Sequence, residues 1–411
     1  MIVGIIAEYN PFHNGHRYQI EQIRKRVKNS SIIVVMSGNF TQRGEPAILD
    51  KFTRAELAVK GGCDLVLELP YVNVVRSAQD FARGGINLLK SLGIVEILAF
   101  GAEVDDIDLL KKIANVADTN EFCGKLHGKL KLGLSYANAV CQIFSEISGV
   151  DENLLKLPNV ILAIEYIRAL KKSTIQPMLI PRVLANFNDK QLYTNISSAT
   201  AIRESIYSKN PQWEKISKNV DNNTIKFLKS SDLPTIERLF RPLLLKIICS
   251  TKEELQNIYG INEGLENKLI HSMHISKNFN EFVDCIVSQR YTRSRIQRLL
   301  LHLVVGLNKY QVVNFNDVHY SRILAFNQRG RELIKLIKQS SDIPVITKIT
   351  QHINSRAMHE SKDIIYIYQK KLKFDIVSSD IYSILKNNMT FGKDFVTSPS
   401  YINYPLSDSS L

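Results

Sequence analysis

Met1-Ile-Val-Gly-Ile-Ile-Ala-Glu-Tyr-Asn-Pro-Phe-His-Asn-Gly-His16 opens the chain with an apolar, β-branched run, Ile2 to Ala7, that predicts a buried strand. Asn10-Pro11 breaks the run, and Asn14-Gly15 supplies a tight turn. From His16 onward Tyr18, Ile20 and Ile23 recur at helical spacing, with Arg17, Arg24, Lys25 and Arg26 on the other face. The pattern is strand, loop, helix, with two histidines and a glycine where the helix begins. A helix N-terminus presents unpaired N–H groups and a positive dipole end, a natural seat for phosphate. Gly15 admits close approach of backbone to a ligand, and two imidazoles donate hydrogen bonds to phosphate oxygens.

The alternation continues outward. Ser31-Ile-Ile-Val-Val-Met36 predicts a second buried strand, followed by the polar, glycine-bearing loop Ser37-Gly-Asn-Phe-Thr-Gln-Arg-Gly-Glu-Pro-Ala47. A helix is expected over Lys51–Gly61 and a third strand over Asp64–Leu69, stopped by Pro70. A further helix over Ala78–Leu89 leads to a fourth strand, Glu96–Phe100, that closes on Gly101. Residues 104–157 read as mostly helical, and Pro158 or Asn159 starts another helix. Ile175-Gln-Pro-Met-Leu-Ile180 predicts a fifth strand, with Arg182 just past its end. Strands and helices alternating at this spacing specify an α/β fold with a Rossmann-like doubly wound parallel sheet. Ligands of such sheets gather at the carboxyl ends of the strands. In Ser197-Ser-Ala-Thr-Ala-Ile-Arg203 the hydroxyls of Ser197, Ser198 and Thr200 cap a helix starting near Thr200 and can cradle a phosphate. Arg203 adds a bidentate charge.

At 411 residues, with 45% hydrophobic and 23% charged side chains, the chain has the composition of a globular protein and the length for two or three domains with cores. The net charge of +13 is unevenly placed. Residues 1–200 carry 23 basic and 20 acidic side chains (+3), and residues 201–411 carry 30 and 20 (+10). A basic half on a near-neutral half points to a polyanionic partner held by the second part. Cys63, Cys123, Cys141, Cys249 and Cys285 form no C-x-x-C pair, which implies neither a zinc site nor a disulfide framework. With no leader sequence and no apolar run approaching 18 residues, a soluble cytoplasmic protein without a membrane partner is expected.

Beyond residue 205 helical patterns dominate: 224–240, 243–248, 252–257, 265–272, 279–287, 292–307, 329–339 and 364–372. Two domains are therefore expected, 1–205 binding nucleotide and 206–411 mainly helical and basic. Thr292-Arg-Ser-Arg-Ile-Gln-Arg-Leu-Leu-Leu-His302 sets Arg293, Arg295 and Arg298 among leucines, and Arg322, Arg329, Arg331, Lys335 and Lys338 follow. With acidic residues sparse across 292–338, these arginines read as a phosphate-contacting surface for nucleic acid.

His13-Asn14-Gly15-His16, an H-x-G-H tetrad after the first strand, resembles the motif of the nucleotidyltransferase superfamily, whose members attack the α-phosphate of ATP and expel pyrophosphate. Several stretches together resemble one family within it, the tRNA(Met) cytidine acetate ligases: Gly4 to His16, Ser37 to Pro46, Leu157-Pro-Asn-Val-Ile-Leu162, Ser197 to Arg203, Ser294-Arg-Ile-Gln-Arg-Leu-Leu-Leu-His302 and Ile343-Pro-Val-Ile-Thr-Lys348. The resemblance runs from residue 1 to about 350. It implies ATP-dependent acetylation of the wobble cytidine of elongator tRNA(Met), in which acetate and ATP form acetyl-adenylate and the exocyclic amine attacks it. It further implies ATP contacts at Ala7, Glu8, Tyr9, Asn10, Pro11, Phe12, His13, Asn14, Gly15, His16, Arg17, Tyr18, Gln19 and Ile20, and at Gly101, Asn159 and Arg182. After Arg182 the chain departs from the family pattern: Val183-Leu-Ala-Asn-Phe-Asn-Asp189 stands where a glycine-bearing, Tyr-His-like loop is expected.

Acyl-adenylate formation shifts charge onto the leaving pyrophosphate. His13, His16 and Arg203, with Mg²⁺, are the expected electrostatic catalysts, and no protein metal site is expected. The loop 37–47 is a candidate lid or acetate pocket. The anticodon arm would lie on the basic half with its wobble base splayed into the site. Two other readings stand beside this one: a small-molecule adenylyltransferase or carboxylate ligase without RNA, and a non-catalytic nucleotide- and RNA-binding protein. The basic second half speaks against the first, and the intact His13, His16 and Arg203 against the second.

Overall fold

A computed structural model describes residues 1–182, 197–359 and 365–403. Five strands of the first half are β1 (Ile2–Ala7), β2 (Ser31–Ser37), β3 (Leu65–Leu69), β4 (Ile97–Ala102) and β5 (Gln176–Pro181). They run parallel in the order β5-β4-β1-β2-β3, with Ile2 opposite Ser31 and Ala7 opposite Met36. β2 and β3 are almost wholly buried, because helices cover both faces of a parallel sheet. Successive residues of β1 feed two different cores: Val3 and Ile5 face one, Ile6 the other. Helix Ala78–Ser91, capped by Ser77 Oγ on Asp80 N–H at 3.1 Å, lies very close on β1. A Cβ on Gly85 would stand 2.6 Å from Ile6 Cδ1, so a larger residue here would have to push the Ile6 side chain aside.

The chain leaves β1 toward β2 and β3 and returns on the other side for β4 and β5. The order therefore reverses between β1 and β4, and this switch point is where a doubly wound sheet opens a crevice for ligand.

The sheet does not stop at residue 205. β6 (Ser321–Phe326) lies antiparallel beside β3, and β7 (Val345–Ile346) and β8 (Ser400–Tyr401) both pair with β6. β6 carries Ile323, Leu324 and Ala325 in a run that reads as readily as helix, and residues 321–326 lie far in sequence from the five strands of the first half. The expected helix 224–240 is instead two pieces, Asn222–Ser230 and the 3₁₀ turn Ile236–Leu239, parted at Pro234. The last expected helix begins at Ile367 and runs to Ile384. Among the described residues no helix is long and apolar enough to cross a membrane.

Candidate active site

The crevice at the carboxyl ends of β1, β4 and β5 opens into a cavity of about 1330 Å³, larger than the ~300–1,000 Å³ that takes one drug-sized ligand. Its floor is the end of β1. Tyr9 there has a left-handed backbone, φ +47°, a conformation that costs about 1–3 kcal/mol outside glycine. Burial of its ring, edge-on to Phe12 at 5.0 Å and His16 at 4.7 Å, holds it. Asn10-Pro11, a cis peptide, follows. Asn10 Oδ1 accepts from Ile48 N–H at 2.7 Å, and its carbonyl accepts from Arg203 Nη1 at 2.7 Å.

His13 caps helix Asn14–Arg26, and the cap is made by two imidazoles. His13 Nδ1 accepts from Gly15 N–H at 3.0 Å, and His16 Nδ1 accepts from the His13 N–H at 3.2 Å. His16 N–H and Arg17 N–H go to the His13 carbonyl. The first-turn amides of Gly15, His16 and Arg17 are thus engaged locally, and the donors this corner leaves for a ligand are side chains. Since each Nδ1 is an acceptor, each proton sits on Nε2. The stacked rings, 3.9 Å apart, are neutral. Burial, joined by Arg182 and Arg203, lowers His13 from 6.5 to about 3, and burial, His13 and Arg182 hold His16 well below its ordinary value. The corner therefore offers two fixed neutral N–H donors beside two cations.

Arg203, in helix Ala199–Ile206, is anchored by the Asn10 carbonyl and by Thr200 Oγ1 at 3.3 Å. Ser198 Oγ caps that helix on Ala201 N–H at 3.0 Å. Arg182 packs over Gly101, where a Cβ would meet its Cγ at 3.3 Å. Asn159 donates to Glu103 Oε1 at 2.6 Å. Glu8 Oε1 accepts from Gln42 N–H at 2.7 Å, and burial raises its carboxyl above the ordinary range despite that bond.

Of the expected nucleotide contacts, Ala7, Glu8, Tyr9, Asn10, His13, Gly15, His16, Tyr18, Gln19, Gly101, Asn159, Arg182, Ser197 and Arg203 line the cavity. Pro11, Phe12, Asn14, Arg17, Ile20, Ser198 and Thr200 do not. Phe12 and Ile20 face the core, with the Phe12 ring against Gly61. Asn14 donates to the Lys218 carbonyl and Arg17 pairs with Asp221 at 3.4 Å. The other two hydroxyls are taken up within their own helix. The departure at 183–189 lies outside the described residues.

Loop 37–47, the candidate lid or acetate pocket, contributes Thr41, Gln42, Arg43 and Glu45 to the cavity wall. Residues 37–41 are buried. Asn39 donates to Ser379 Oγ at 3.1 Å, Gln42 to the Arg76 carbonyl at 2.6 Å, and Tyr382 to the Ala47 carbonyl at 2.8 Å. At its tip Gly44, φ +82°, touches the Arg298 backbone, which a Cβ would meet at 2.9 Å.

Sequence reasoning missed Arg54. This fully buried side chain donates to the carbonyls of Glu8, Ser37, Gly38 and Leu49, tying together the ends of β1 and β2 that carry the site. Helical periodicity places it on the apolar side of its helix with no sign of that role.

The expected RNA arginines part company. Arg298 and Arg295 line the cavity, and Arg295 lies 4.5 Å from the Tyr291 ring centroid. Arg293, also at the wall, is tied to Asp284 and Asn280. Arg322 is not a phosphate contact: it is buried in β6, pairing with Glu68 at 2.9 Å and with Asp394, while Lys51 closes the cluster at 2.8 and 2.7 Å. Arg329 and Arg331 are exposed at the start of helix Gln328–Ser340, which is pinned by Asn327 to Asp64 beside the amino end of β3. Arg329 there shares a shallow recess with Met1, Ile2 and Ser31, at the sheet edge opposite the cavity.

The chain matches the model of the HIGH Nucleotidyl Transferase family over residues 1–394. It is 36% identical over 402 residues to the tRNA(Met) cytidine acetate ligase of Caldanaerobacter subterraneus, covering 95% of this chain and 97% of that one. It is 37% identical over 416 residues to that of Clostridium novyi, covering 98% and 99%. The crystal structure of apo Thermotoga maritima TmcAL superposes with a TM-score of 0.88 at 32% identity, covering 98% of this chain and all of that one. The same protein bound with alpha-thio ATP gives 0.86. The chain belongs to the tRNA(Met) cytidine acetate ligase family of HIGH nucleotidyl transferases.

Proposed function

We propose that the chain is a cytoplasmic, ATP-dependent acetate ligase that forms N4-acetylcytidine at the wobble position of elongator tRNA(Met) through acetyl-adenylate. The observation that carries this reading is the corner of two neutral Nε2–H imidazoles flanked by Arg182 and Arg203. It is built to hold phosphate charge without a protein nucleophile or a strong base.

An acetate oxygen attacks the α-phosphorus, and the bond to the β-phosphate oxygen breaks with its electron pair leaving on pyrophosphate. His13, His16 and Arg203 are pre-aimed donors for that growing charge and need little reorganisation. In the second step cytidine N4 bonds to the acetyl carbon, AMP leaves, and N4 sheds a proton. Glu8, held by Gln42 and facing the cavity, is the carboxylate at hand to take it. Among the described residues no group of three His, Cys, Asp or Glu side chains surrounds a metal position. A Mg²⁺ bound with the nucleotide would be held by triphosphate oxygens and water and would offset their charge.

Incubation with ATP, Mg²⁺, acetate and unmodified tRNA(Met), then digestion and mass spectrometry, tests the reading. Acetylcytidine that requires both acetate and ATP supports it. Pyrophosphate exchange without RNA product would retain the adenylation and remove the acceptor. Neither signal removes the proposal.

A further inference from the structure

Several arginines border the cavity where helix Arg293–Val305 forms its wall, and all but one have partners. Arg76 pairs with Asp80 at 3.2 Å and donates to Asn316 and Tyr259. Arg290 pairs with Glu263 at 2.8 Å, Arg293 with Asp284, and Arg295 lies over Tyr291. Arg298 alone of these makes no hydrogen bond, ion pair or aromatic-ring contact with any of the described residues. The acidic groups on this wall are already engaged, Asp80 by Arg76 and Arg83, Glu263 by Arg290 and Tyr291.

A half-buried guanidinium without an acidic partner is costly unless a ligand supplies one, and its charged surroundings favour an anion. The phosphates of ATP and the carboxylate of acetate belong with the histidines, whose charged neighbours are Arg182 and Arg203. Arg298 lies elsewhere, its backbone against the tip of loop 37–47 and its charge beside Arg43, Arg295 and Asp80. The cavity exceeds the needs of one nucleotide. We propose that Arg298, with Arg295 beside it, seats the phosphodiester flanking the acceptor nucleotide, so that the RNA strand itself is drawn into the cavity. This rests on the acceptor being RNA, as proposed above. The basic half then acts less as an outer platform than as the far wall of one chamber.

The test is equilibrium binding of a cytidine-containing RNA pentanucleotide across a salt series, with acetylation of full tRNA(Met) by wild type run alongside. Arg298→Gln is expected to weaken binding about tenfold and to lower the slope of log K against log salt by about 0.7, the loss of one single-strand phosphate contact. Arg298→Lys, which keeps the charge, is expected to keep the slope. Comparison of these two similar-sized variants separates a phosphate contact from lost packing. A wild-type slope in Arg298→Gln, or equal loss in both variants, overturns the inference while wild-type acetylation leaves the parent reading standing. A wild type that neither binds nor acetylates RNA removes both.

Discussion

At the end of β1 two histidines occupy positions where backbone hydrogen bonds dictate both their proton and their direction. In the second half, six arginines of one sequence texture finish in four environments: free at the cavity (Arg298), on an aromatic ring (Arg295), paired at its wall (Arg293) or inside the sheet (Arg322), and on the remote edge (Arg329, Arg331). The difference is between a function set locally and one set by tertiary contacts. A cap is made within four residues, so its chemistry travels with the motif. An arginine's role depends on whether a carboxylate from elsewhere reaches it, and Asp394 reaches Arg322 from 72 positions away.

Arg322 gives the sharpest way to break this contrast. Removing one partner from a buried ion cluster leaves uncompensated charge and costs about 3–5 kcal/mol. Arg322→Ala is therefore expected to lower the urea midpoint severely. A variant as stable as wild type, with weakened RNA binding, would return Arg322 to the RNA surface.

His16→Ala probes the other side of the comparison. Loss of one pre-aimed donor costs about 10²–10³ in rate, read as acetate-dependent pyrophosphate exchange. It also removes the acceptor for the His13 N–H, which loosens the cap. Exchange at the wild-type level would mean that the imidazoles serve the cap alone.

The strands and the H-x-G-H corner were legible because each is written in a short window: β1 and the start of its helix fall where apolar periodicity and Asn-Pro and Asn-Gly signals put them. β6 was not, since an antiparallel strand added to the edge of β3 from 250 residues downstream leaves no local alternation to distinguish it from helix. The same holds within the site. Of the fourteen residues from Ala7 to Ile20, those that turn inward, such as Phe12, look no different in sequence from those that line the cavity. Arg54 was invisible because its four acceptors are backbone carbonyls, which any sequence supplies.

Protonation extends the comparison to pH. His13 and His302, both buried, are lowered to about 3, chiefly by burial and then by neighbouring arginines. The unfolded chain takes up these protons near the ordinary 6.5 and the folded chain only near 3. Their stabilising contribution is therefore complete above 6.5 and is lost as pH falls from there toward 3, at most about 1.4 kcal/mol per pH unit for each group. Urea midpoints should fall with acid over that window, less steeply in His302→Gln. Parallel curves would show that His302 binds its proton alike in both states. By NMR the His13 and His16 ring protons should show no titration between pH 5 and 8, and a step near 6.5 would overturn the neutral-donor corner.

The smallest expected effect is the most discriminating within the basic half. Arg293 and Arg298 lie five residues apart on one helix and both border the cavity, but Arg293 is exposed and tied to Asp284 and Asn280. An exposed pair of this kind contributes about 0–1 kcal/mol. Removing the arginine also frees a carboxylate, so little net attraction for RNA is lost beyond long-range charge. Arg293→Ala should change pentanucleotide affinity less than threefold, a shift under about 0.7 kcal/mol, and should leave the salt slope nearly as it was. If it matched Arg298→Gln instead, pairing would not be what sorts these arginines. The wall would then act through summed charge, which a neutralising pair of substitutions at Arg293 and Asp284 would leave almost intact.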